Sequence, residues 1–150
     1  MISKLFLGLI ITVCLSLGAD DIKELEKDFR RDPYNPENAY EFAKSLCLAK
    51  DRRCEDAISY AVALEPNLVD DAVTFLKELG YDINSELMKR MAFEQIIKTL
   101  EVEKRMYRFE RPGMSDEEIL QKIMSKPPFI FFKNPWTGKR ITIEDLNSSR

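Results

Sequence analysis

Apolar residues recur at helical spacing along most of this chain. Ala39, Phe42, Ala43, Leu46 and Cys47 fall at i, i+3, i+4, i+7 and i+8 behind Asn35-Pro36. This spacing predicts a helix with one apolar face, capped by Asn35, with Pro36 in its first turn. After the charged KDRR stretch, Cys54, Ala57, Ile58, Ala61 and Val62 repeat the spacing up to Pro66, so a second helix lies antiparallel to the first. Upstream, Ile22, Leu25 and Phe29 of DDIKELEKDFRR form a shorter stripe. Gly80 suits a helix C-terminus, and a long helix is expected from about Ser85 to Phe109. Its apolar residues (Leu87, Met91, Phe93, Ile96, Ile97, Leu100, Val102, Met106) cover more than one face, so it should touch more than the preceding helices. Ser115 and Glu118 form a capping-box pattern ahead of Ile119, with Met114 placed to staple onto it. Beyond Pro127-Pro128 the period changes. FIFF and RITI flank KNPWTGK and read as a small β-hairpin, which must pack on the helices or on a partner because an isolated hairpin is marginal.

The opening MISKLFLGLIITVCLSLGADD has Lys4 ahead of a 15-residue uncharged run that ends in Gly18-Ala19. These are the parts of a secretory signal, too short to span a bilayer, and cleavage near Ala19 is expected. Val13 is bulkier than the residue expected before a lipid-modified cysteine, which argues against lipidation of Cys14. Export changes the reading of Cys47 and Cys54. In an oxidising compartment an even pair across a short helical turn predicts a structural disulfide. Zinc is disfavoured because two thiolates do not complete a tetrahedral site and the chain has no histidine. The C-x6-C spacing lacks the acidifying C-x-x-C turn, which leaves a thiol-redox factor as the alternative.

Laid on itself at an offset of 33, DPYNPENAYEFAKSL (32–46) aligns with EPNLVDDAVTFLKEL (65–79). Pro33 then meets Pro66, Ala39 meets Ala72, Phe42 meets Phe75, Lys44 meets Lys77 and Leu46 meets Leu79. A helical period of that length ending in an acid-proline pair resembles the tetratricopeptide repeat, over about residues 21–79. The resemblance implies a protein- or peptide-binding surface, for which Tyr40, Lys44, Thr74 and Lys77 are candidate positions. The expected fold is therefore mainly α, with tetratricopeptide-like antiparallel hairpins, capping helices and a small C-terminal β-hairpin. Its divisions are a signal at 1–19, repeats at 20–82, the long helix with a short one at 83–126, and the hairpin at 127–150.

Motifs of nucleotide binding and nucleophilic catalysis are absent, and without histidine the commonest general base is missing. The acids near predicted helix starts suit the helix dipole, so no catalytic residue, metal or cofactor is assigned. Charge divides the chain. Residues 20–103 carry 12 basic and 20 acidic side chains, and 104–150 carry 10 and 6. The basic part opens with KRMYRFER, where Lys104, Arg105, Arg108 and Arg111 alternate with Tyr107 and Phe109, and it includes Trp136. Export and a net charge of −3 exclude a nucleic-acid partner. The segment is expected to face the acidic part of its own chain or a partner protein, with a membrane-peripheral assembly subunit as a further alternative. The functional expectation is an exported, non-catalytic interaction module or scaffold of open oligomeric state.

Overall fold

The computed structural model describes residues 21–148, so the expected signal segment and Cys14 lie outside the described residues. Helix α1 covers 21–31, α2 Pro36–Leu48, α3 Cys54–Leu64, α4 Val69–Glu78, α5 Ser85–Glu110, α6 Asp116–Met124 and α7 Ile143–Ser148. A 3-10 turn, Pro66–Leu68, leads into α4.

Local chemistry sets these boundaries. The Asn35 carboxamide accepts from Asn38 N at 3.1 Å, Asn84 from Leu87 N at 2.8 Å and Ser115 from Glu118 N at 3.2 Å, each satisfying a first-turn donor. Helix α4 ends with Gly80 at φ 97°, where Tyr81 N reaches back to Leu76 O and Gly80 N to Lys77 O. The left-handed turn that closes these two bonds is one that glycine adopts without steric cost.

Helix α3 is the centre of the molecule. Ile58, Ala61, Val62, Ala63 and Leu64 are all buried, and α3 packs on α2, α4 and α5. Its small residues let neighbouring helices approach closely. Helix α5 contributes Met88, Ala92, Ile96 and Leu100 to the core, and α6 contributes Ile119 and Ile123. Tyr60 donates to Pro33 O at 2.7 Å and stands edge-on to both Phe29 and Phe132, joining α1 to the C-terminal segment.

The expected C-terminal β-hairpin does not form. Among the described residues there is no strand, only one isolated antiparallel bridge between Lys133 and Arg140. Phe129 and Phe132 are both fully buried, in edge-to-face contact at 5.2 Å. Three positions apart, they would point to opposite faces of a strand. Instead the chain coils at Pro128, whose carbonyl accepts from Phe131 N and Phe132 N, and both rings enter one core. Lys133 N donates to Ala63 O at the end of α3 rather than to a strand. The second run also leaves the extended state. Ile141 is buried, and Thr142 N and Asp145 Oδ2, with Asp145 N and Thr142 Oγ1, form reciprocal bonds of 3.0 and 3.1 Å that start α7.

Glu65 and Lys133 tie the α3–α4 junction to this segment at 3.0 Å. Burial pushes the Glu65 carboxyl up, but the bonds from Lys133 and Asn67 N outweigh it and leave it below the ordinary range. A carboxylate lowered by folding contributes stability above its unfolded pKa, and that contribution disappears as pH falls through the folded value. Urea midpoints should therefore fall more steeply on acidification for the wild type than for Glu65→Gln. Parallel acid limbs would remove the pair from the account.

Candidate functional site

Cys47 and Cys54, both buried, form a disulfide with Cα atoms 4.6 Å apart across the α2–α3 loop. The loop turns through Lys50 at φ 55° and is braced by Asp51, which accepts from Arg53 N at 2.9 Å and from the Arg53 guanidinium. Those bonds from Arg53 hold the Asp51 carboxyl down at about 2. Tyr81, just beyond α4, has its hydroxyl 3.7 Å from Cys54 Sγ. The cystine lines a cavity of about 530 Å³ together with Leu48, Leu79 and Tyr81.

The candidate positions on α2 and α4 separate. Tyr40 is buried and donates a hydrogen bond to Asp71, linking the two helices from within. Burial first, and the Asp71 carboxylate second, raise its phenol far above the ordinary value. Lys44 lies over the Tyr40 ring at 4.6 Å and pairs with Glu41 at 2.8 Å. Thr74 and Lys77 remain exposed on α4. The offset-33 pairs agree at Ala39 and Ala72, both buried, and part at Leu46, which is buried, and Leu79, which is exposed.

Among the described residues no ion pair joins the basic aromatic segment to the acidic repeats at 20–82. Lys104 pairs with Glu101 on its own helix at 3.8 Å, and Arg108 with Asp116 at 3.1 Å. Tyr107 is half-buried and accepts from Lys126 Nζ at 2.9 Å. Arg105 and Arg111 are exposed, and no ion pair engages them among the described residues. The expected charge crossing is made elsewhere, by Lys133 to Glu65; the pair of Lys98 with Asp56 at 3.5 Å lies within the acidic part. Trp136 sits on the long helix, its ring 5.8 Å from Phe93 and its Nε1 donating to the Glu86 carboxylate at 3.2 Å.

What the sequence reading missed is the surface between these charges. Helix α3 runs antiparallel to the first half of α5, with Asp56 near its start beside Lys98, so the second half of α5 projects past it. Val102, Met106 and Phe109 are 53%, 52% and 89% exposed there. They fall at i, i+4 and i+7 and form one stripe. The signal was present in the several apolar faces of α5, which predict a further contact without marking which face stays uncovered. A second cavity, about 350 Å³, lies where α1, α2, α3 and α5 meet, lined by Phe29, Phe42 and Tyr60. Gln95 also lines it, and its buried Oε1 has no hydrogen-bond partner among the described residues.

Among the described residues no group of three or more side chains is placed to hold a metal, and no helix is long and apolar enough to cross a membrane. Comparison with protein-family models, with curated proteins and with solved structures finds no match.

Proposed function

We propose that this chain is an exported, non-catalytic interaction module, an assembly or scaffold factor that engages a protein partner through its helical surface. The observation that carries this reading is the exposed stripe Val102–Met106–Phe109 on a helix whose other apolar residues are largely covered. Three large apolar side chains in line on a rigid helix favour association, since covering them removes apolar surface from water at no cost of ordering the helix. The disulfide supports the extracytoplasmic part of the proposal, because such bonds persist in oxidising compartments. The shared burial of Ala39 and Ala72 supports a degenerate tetratricopeptide-like origin for residues 21–79.

The test is crosslinked recovery of partners from the exported fraction, comparing the wild type with Phe109→Ala. Phe109 makes so little contact with its own chain that its removal should shift stability by no more than roughly 0.5 kcal/mol. Recovery should fall about tenfold or more if the ring is an anchor. Undiminished recovery with unchanged melting would overturn the reading.

A further inference from the structure

We infer that the projecting half of α5 pairs with the same segment of a second copy of this chain, the two helices running parallel. This inference rests on the interaction reading above and names the partner at that stripe.

The register carries the argument. Thr99, Val102, Met106 and Phe109 are spaced 3, 4 and 3, so they occupy successive a, d, a and d positions of a heptad. The neighbouring g positions are then Lys98 and Arg105, and the e positions are Glu103 and Glu110. One edge of the stripe is basic and the other acidic. In a parallel pair each g position faces the e position five residues further along the partner, so Lys98 would meet Glu103 of the second copy and Arg105 would meet its Glu110. An antiparallel pair would set g against g and e against e, which places like charges together. The charges thus select a parallel, two-fold arrangement of identical helices, in which each contact is made twice.

The remaining contacts of these side chains fit. Arg105, Glu103 and Glu110 have no ion pair among the described residues, and the one held by Lys98, with Asp56, is between exposed groups. All eight positions lie within α5, so the seam is helical before association. An anionic membrane explains the arrangement less well. It would attract Lys98 and Arg105 but repel Glu103 and Glu110 on the other edge.

Sedimentation equilibrium of the full oxidised chain tests the proposal by charge exchange. The wild type should associate in a concentration-dependent way. Arg105→Glu alone and Glu110→Arg alone should each weaken association at least tenfold, and Phe109→Ala should abolish it. An equimolar mixture of the two charge variants should associate again, because each then supplies what the other lacks. A wild type that stays monomeric, or single variants that associate as tightly as the wild type, would overturn the inference. If that monomer still loses a different crosslinked protein on Phe109→Ala, the interaction reading survives and only the second copy is wrong. Stripe-dependent binding to phosphatidylglycerol vesicles by a monomer would overturn both.

Discussion

Phe132→Ala should lower stability by about 3–5 kcal/mol, the range for emptying a fully packed aromatic site. Phe132 is completely buried between Phe129 and Tyr60, so the vacated volume is walled by two rings held from other elements. In a domain of this size the melting temperature should fall by roughly 10–20 °C. Phe131 provides the internal comparison. It is 43% exposed and only stacks on Tyr34 at 5.3 Å, so Phe131→Ala should cost less than about 1.5 kcal/mol. Thermal and urea unfolding of both variants would check the pair. Equal, small losses would mean that the C-terminal segment is an accessory layer rather than part of the core.

The second large effect is expected from Cys47→Ala with Cys54→Ala. The bridge spans a sequence separation of 7, and closing so small a loop in the unfolded chain is worth about 2–3 kcal/mol on the chain-entropy model. Two signatures distinguish this from simple loss of packing. The urea midpoint should fall while the slope of the unfolding transition rises, because the unlinked denatured chain expands. Cys47 and Cys54 in the native protein should also resist alkylation until reduced, as intact mass would report. Two freely alkylated thiols would eliminate the staple, and rapid exchange with small thiols would favour the redox alternative.

Helices α2 to α6 were legible because their signals are local: periodic apolar residues, Asn35 and Ser115 as caps, and Gly80 as a stop. The errors arose where a residue's state depends on something distant. FIFF has strand composition, and only the shared pocket beside Tyr60 requires Phe129 and Phe132 to face the same way. Thr142 and Asp145 carried a helix-start pattern that the β-rich composition of RITI masked. Tyr40 falls outside the strongest apolar stripe of α2, yet its ring is buried and its hydroxyl bonds to Asp71 on another helix. At the candidate site, Val102 and Met106 have the same composition and period as the buried stripe of α5. They differ from it only in lying beyond the point where α3 begins, which no local pattern encodes.

The placement of residues 129–146 also fixes when folding can finish. Tyr60 waits for Phe132, the end of α3 for Lys133, and the common core for Ile141 and Leu146. These contacts join residues far apart in the chain and are slow to close. A ribosome or a translocation channel that delivers the chain from its N-terminus releases residues 129–146, the pieces needed to seal the core, long after α3. Until then α3 presents its apolar sides unsealed, so the chain remains unfinished during passage and exposed to aggregation if delivery stalls. Emergence of residues 129–146, rather than formation of the first hairpin, commits this protein to its native state.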